Sequence, residues 1–280
     1  MDTLGIPQPL REIPEPPKRL YVRGKLPSYD NYVYLTIVGS RKYTNYGKQA
    51  CEELIQGLRG YPIVIISGLA LGMDTIVHYA ALANNITAVA FPGSGLDDTV
   101  LYPTSNSGLA RKILEAGGAL VSEFEPTQRA AQWTFPRRNR LMAGISKATL
   151  IIEATNKSGT RITAKLATEY NRDVLAVPGS IFSESSEGTN QLIREGATPI
   201  TSAPELLQAL GFEVTGTLPE VAMEHCTDEE KKVLLALASP LSRGELMRML
   251  EIPTSEASAL ISMMEIKGLI TESMGEMRRS

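Results

Sequence analysis

The sequence predicts a doubly wound, mostly parallel α/β sheet followed by a small unit of three short helices. Three observations carry this. Apolar runs of strand length alternate with amphipathic stretches of helix length from about residue 31 to residue 210. The runs are apolar on both faces, as in a parallel sheet covered on both sides. The alternation then stops at a stretch containing Gly216 and Pro219, and a different pattern follows, three short helices and then Gly268-Leu269-Ile270 as the expected start of a small β-wing.

Residues 1–30 read as an extended arm. Pro7, Pro9, Pro14, Pro16 and Pro17 disfavour a helix there. Both charge signs mark the arm as packing or linker. Residues 32–38 read as the first strand and 46–58 as its helix. The series continues with strand 63–66, helix 75–83, strand 86–91, helix 107–116 and a short strand at 119–122. A helix is expected over 138–145, a strand over 148–153, a helix over 162–171, a strand over 173–177 and a helix over 189–195. Segments 198–200 and 204–210 close it. Right-handed crossovers between such strands give an extended Rossmann-like layer over 31–212. Residues 213–225 read as a linker. In 226–280, helices at 228–238, 242–250 and 254–267 precede a turn at Gly268, a winged-helix-like pattern.

Composition narrows the function classes. The chain has 280 residues, 43% of them apolar, and a formal net charge of -3. It is not basic throughout, so any nucleic-acid site must be a local patch. Cys51 and Cys226 are far apart and have no zinc spacing, which suits reduced thiols. No apolar run is long enough to span a bilayer and none resembles a signal peptide, which favours the cytoplasm. Neither a metal nor a cofactor is expected.

In an open parallel sheet, ligands bind beyond the C-terminal ends of the strands. Here five glycine-bearing turns follow strands: Gly39-Ser40-Arg41, Ser67-Gly68-Leu69-Ala70, Pro92-Gly93-Ser94-Gly95, Ser158-Gly159-Thr160 and Pro178-Gly179-Ser180. Glycine lets backbone amides approach an anion, and a following helix adds unpaired N–H groups. The expected ligand therefore carries phosphates. No GxGxxG or P-loop spacing is present, which disfavours classical dinucleotide binding and ATP-driven chemistry. A second signal is Phe135-Pro136-Arg137-Arg138-Asn139-Arg140, preceded by Trp133. No acidic residue lies between Glu125 and Glu153, whereas Arg129, Arg137, Arg138, Arg140 and Lys147 are basic. Guanidinium groups grip phosphates and an aromatic face stacks on an unpaired base.

Taken in order, GSR, SGLAxGxD, FPRRNR, SGTxITA, AVPGS and EGTNQLIREGA resemble the signature of the DNA-processing protein A (DprA/Smf) family from about Thr36 to Gly211. The resemblance implies a non-catalytic, dimeric protein that binds and protects single-stranded DNA and loads RecA recombinase during natural transformation. Carried over by motif, Gly39, Ser40 and Arg41 belong to a phosphate pocket. Phe135, Arg137, Arg138, Asn139 and Arg140 form its basic wall, and Ser67, Gly68, Gly159 and Thr160 its floor. Leu71 departs from the pattern, since the family usually has a basic residue there; Arg161 could take over that contact. Many members of the family carry an N-terminal helical (SAM-like) domain, of which only the Pro-rich arm is expected here.

Three other readings are weaker. Asp74 and His78 share a helix face at metal-ligand spacing, but no third ligand accompanies them. Ser94 lacks the surroundings of a nucleophile elbow. Glu123 and Glu125 could be paired acids, but ordering the arginines of the FPRRNR segment suits one of them better. Residues 226–280 hold seven Lys and Arg against nine Asp and Glu, which argues against a groove-reading helix; Arg278 and Arg279 are the remaining candidates for weak DNA contact. The competing function is a nucleotide-binding enzyme or sensor of the Lonely Guy (LOG) type, whose PGGxGTxxE pattern is incomplete here. An adaptor dominated by its C-terminal unit is the third.

Overall fold

The computed structural model describes residues 2–156, 158–213, 226–237, 241–250, 252–273 and 275–279. The chain divides into two units, Met1–Glu213 and Val214–Ser280. The linker expected at 213–225 falls, apart from Glu213, outside the described residues.

The first unit is built on a nine-stranded sheet. Seven of its strands are β3 (Val33–Val38), β4 (Ile63–Ser67), β5 (Thr87–Ala90), β6 (Ala119–Ser122), β7 (Ala148–Ile151), β8 (Asp173–Ala176) and β9 (Thr198–Pro199). These seven run parallel to one another. Between them lie α2 (Asn45–Gln56), α3 (Met73–Ala83), α4 (Ser107–Glu115), α5 (Thr134–Ile145), α6 (Thr160–Glu169) and α7 (Glu184–Arg194), with α8 (Ala203–Ala209) after β9. Two apolar cores, one on each face, bury both sides of these strands. That is why the runs read as continuously hydrophobic.

The N-terminal segment differs from the expected arm. It supplies β1 (Asp2–Leu4), α1 (Gln8–Arg11) and β2 (Leu20–Gly24). Pro7 and Pro9 fall at the N-cap and first turn of α1, where a missing N–H costs nothing. Strand β2 then pairs antiparallel with β6, Tyr21 opposite Ser122, and carries β1 at the sheet's edge. Leu10, Ile13 and Leu20 are core residues.

The order β1-β2-β6-β5-β4-β3-β7-β8-β9 places the switch in winding direction between β3 and β7. The loops after β3, β4, β5, β7 and β8 therefore emerge on one edge. Helix α5 begins at Thr134, four residues before the expected start. Pro136 is tolerated because it sits in the first turn. The FPRRNR segment is therefore helical throughout, so its side chains point in different directions.

The second unit has helices α9 (Asp228–Ala236), α10 (Arg243–Met249) and α11 (Thr254–Ile266) with strands β10 (Leu241–Ser242), β11 (Ile270–Ser273) and β12 (Glu276–Arg279). Its sheet, order β10-β12-β11, is antiparallel. Capping boxes at Thr227–Glu230 and Ser242–Glu245 start two of its helices. Val233, Leu246, Ile261, Met264 and Met277 form its core.

Candidate functional site

The loops after β3, β4 and β5 meet the first turn of α5 around a small open cavity of about 40 Å³. Arg41, Gly68, Leu71, Tyr102, Phe135 and Arg138 are among its lining residues. That volume holds a few water-sized groups, which suits a phosphate and not a whole nucleotide. The Arg41 guanidinium stands 5.8 Å from the centre of the Phe135 ring. Tyr102 meets the same ring edge-on at 5.9 Å. Phe135 rests on Gly93, where any Cβ would strike the ring. Gly72, at φ +88°, brings the β4–α3 loop against the Arg41 backbone, and the Met73 N–H donates to the Ser40 carbonyl at 3.1 Å. Glycines thus let two loops touch, and the touch fixes where Arg41 stands.

Arg138 lies beneath this cavity, only 6% exposed. Its guanidinium donates to the carbonyls of Gly68 and Phe91, and its Nε–H to Asn139 Oδ1 at 3.0 Å. The Asp74 carboxylate accepts from the amides of Gly68 at 3.1 Å and Ala70 at 3.3 Å. Burial raises the Asp74 pKa, opposed by Arg138, and lowers that of Arg138, opposed by Asp74. The two residues hold Gly68 from both sides, Asp74 through its N–H and Arg138 through its carbonyl. His78 is pushed down to about 3 by burial, with repulsion from Arg138 adding to it. An interaction with the Ser67 backbone opposes this only in part. Asp74 is committed to loop amides, so the i, i+4 pair is a structural one.

The other residues singled out by sequence are sorted by the helix and the turns. Arg137 has a half-exposed side chain and bonds Glu123 at 3.3 Å. Arg140 is buried and pairs with Glu123 while donating to the Glu15 carbonyl. It braces the N-terminal segment against α5 and offers no free charge, contrary to the expected wall. Ser67 is fully buried, its hydroxyl donating to the Ile37 carbonyl at 2.7 Å, so it offers no hydroxyl to a ligand. The Ser40 hydroxyl closes a local turn with Lys42. Gly39 packs on Met73. Thr160 donates to the Gly39 carbonyl at 3.1 Å, and Gly159 lines a separate groove along α6. In that groove Arg161 is bound to Glu195 at 3.0 Å, so it does not replace the charge missing at Leu71. Tyr102 escaped the sequence reading, because it comes from the long β5–α4 connection and belongs to no motif.

The winding switch itself is filled from within. Glu153, just past β7, is 1% exposed. Its carboxylate accepts from the Thr44 amide at 2.9 Å, the Thr44 hydroxyl at 2.6 Å and the Ser185 hydroxyl at 3.1 Å. Thr44 is the N-cap of α2, and a Cβ at Gly47 in its first turn would collide with Glu153. A helix N-terminus at a switch point is the usual seat of a nucleotide phosphate. Here an internal carboxylate sits there.

Comparison with known proteins agrees with this layout. Residues 2–211 match the profile of the family described as DNA recombination-mediator protein A. Protein Smf of Escherichia coli is 40% identical over 196 residues, which cover 70% of this chain and 52% of that protein. The chain thus spans about half the length of that relative. DNA processing protein DprA of Streptococcus pneumoniae is 38% identical over 206 residues, covering 74% of this chain and 71% of that one. A solved structure of DNA processing protein A from Helicobacter pylori, described for its single-stranded DNA binding mode, superposes with a TM-score of 0.67. It is 32% identical, and the match covers 75% of this chain and 94% of that one.

Proposed function

Since the chain belongs to the DNA recombination-mediator protein A (DprA/Smf) family, we propose that it binds single-stranded DNA, without catalysis, at the edge where Arg41 faces Phe135. One observation carries this reading. Arg41 is exposed, forms no ion pair among the described residues, and stands beside an aromatic ring in a phosphate-sized cavity. A free guanidinium grips a phosphate and the ring takes an adjacent base. Gly68 and the Arg138 beneath it keep that cavity in shape. In this reading Arg41 of the expected pocket and Phe135 of the expected wall make the contact; Arg137 and Asn139 of that wall are not among the residues lining the cavity.

Protection of incoming strands, loading of RecA recombinase and assembly as a homodimer in the cytoplasm complete the proposal, on the strength of the family resemblance. The buried Glu153 at the winding switch weighs against a LOG-type nucleotide enzyme, because it occupies the place a nucleotide phosphate would need.

The test is a fluorescence-anisotropy titration with oligo-dT and with blunt duplex at two salt concentrations. Tight, salt-sensitive binding of oligo-dT is expected, with much weaker duplex binding. Arg41→Ala should cost about 1–3 kcal/mol of binding. Equal binding by wild type and Arg41→Ala would remove this pocket assignment.

A further inference from the structure

The loop after β8 ends in Ile181 and Phe182, 82% and 93% exposed. No other large apolar side chain among the described residues of the first unit is exposed to that degree. The loop is nevertheless well anchored. The Gly179 amide donates to Asn190 Oδ1 at 3.2 Å, and Asn190 Nδ2 returns a bond to the Gly179 carbonyl at 3.0 Å. The amides of Phe182 and Ser183 both bond Ser180, at 3.3 and 3.1 Å. An ordered loop that holds two adjacent apolar side chains in water calls for an occupant.

Its neighbours indicate which. The Tyr46 hydroxyl, on the first turn of α2, donates to the Pro178 carbonyl at 2.6 Å, and its half-exposed ring borders Gly179. Tyr43, also exposed, precedes it in the loop that begins with Arg41 and Lys42. Glu153 ties this loop, through Thr44, to Ser185 in the first turn of α7, just after the β8–α7 loop. The apolar pair is therefore fastened to the loop that carries the proposed phosphate contact. Strands β3 and β8 are separated only by β7, so their ends lie about 10 Å apart. That is on the order of three stacked nucleotides. Glu184 and Glu187, in the first turn of α7 directly after this loop, repel phosphates there. An occupant must then turn its charged backbone toward Arg41 and Lys42 and an uncharged flat face toward Phe182.

We propose that Phe182, with Tyr46, is a second base-stacking station for the same single strand that enters the Arg41–Phe135 pocket, a few nucleotides along. This rests on the proposed function. The test measures binding of dT3 and dT12, with and without abasic residues, to wild type, Phe182→Ala, Phe182→Trp and Arg41→Ala. Phe182→Ala should lose roughly 5- to 100-fold on dT12 and little on dT3, with an unchanged salt slope. Phe182→Trp should restore binding. On abasic strands, wild type and Phe182→Ala should bind alike. Arg41→Ala should weaken both lengths. If Arg41→Ala weakens binding and Phe182→Ala binds dT12 like wild type, the second station is wrong and the pocket stands. An equal loss on abasic strands would also overturn it, because the loop would then act on the backbone or the fold. If neither variant changes binding, the pocket reading fails first.

Discussion

The strand-end edge of the first unit and the surface of the second both carry arginines, yet they treat them differently. At the edge, Arg41 and Lys42 are exposed with no ion pair among the described residues. In the second unit Arg243 pairs with Glu265 and Glu272, Lys267 with Glu230, Arg278 with Glu276 and Lys231 with Asp228. A cation already matched to a carboxylate must lose that partner before it can neutralise a phosphate. Lys232 and Arg248 of the second unit are also exposed with no ion pair among the described residues, so pairing in space sorts individual cations, and what sets the edge apart is an unpaired Arg41 beside the Phe135 ring.

The sharpest way to break this comparison is inside the first unit, at Arg138. It lies within the basic motif but is buried against Gly68, Phe91 and Asp74. Arg138→Ala should destabilise the unit by about 3–5 kcal/mol, because it leaves Asp74 buried without its counter-charge. Urea unfolding checks this. If stability is unchanged and only DNA binding falls, Arg138 is a ligand contact and the division between framework and free cation is wrong.

His78 sharpens the same boundary from the acid side. Its pKa is depressed to about 3 in the fold. Unfolded, it takes a proton near its ordinary value of about 6.5. Between these values the unfolded chain binds more protons, so the contribution of His78 to stability falls as pH drops below about 6.5. From pH 7 to pH 5 the loss should be about 2 kcal/mol. His78→Phe should flatten that limb relative to wild type in unfolding curves at the two pH values. Identical limbs would mean that the imidazole reaches solvent or a partner.

The sequence made the parallel core legible because both faces of its strands are buried, which leaves unbroken apolar runs such as 63–66. It also made the glycine turns legible, since their spacing to strand ends is local. The N-terminal segment was not legible. Its strand β2 exists through pairing with β6, about a hundred residues away, and prolines beside it masked the pattern. Nor could the sequence sort the arginines. Between Glu125 and Glu153 it shows no acid, yet Glu123 and Asp74 reach the arginines across the fold. The sequence offers Glu123 and Glu125 alike as the acid that orders the arginines, and only the fold shows that Glu123 binds Arg137 and Arg140. Separating Arg137 from Arg138 needed the helix to begin at Thr134, which a proline in the motif obscured.

The smallest expected effect is the most direct check on the second unit. Arg243 holds Glu265, Glu272 and the Ser262 hydroxyl. Its side chain is one-third exposed, so these bonds are partly screened. Arg243→Ala should change oligo-dT binding by less than about 0.5 kcal/mol, since it removes a charge that is already neutralised. The salt slope should also stay the same, because no phosphate contact is lost. Arg41→Ala, carried through the same anisotropy series, should lower both affinity and slope. A salt slope reduced by about one unit in Arg243→Ala would show that its ion pairs open on binding. An ion pair would then no longer mark a cation as unavailable to phosphate, and the second unit would have to be counted as part of the DNA site.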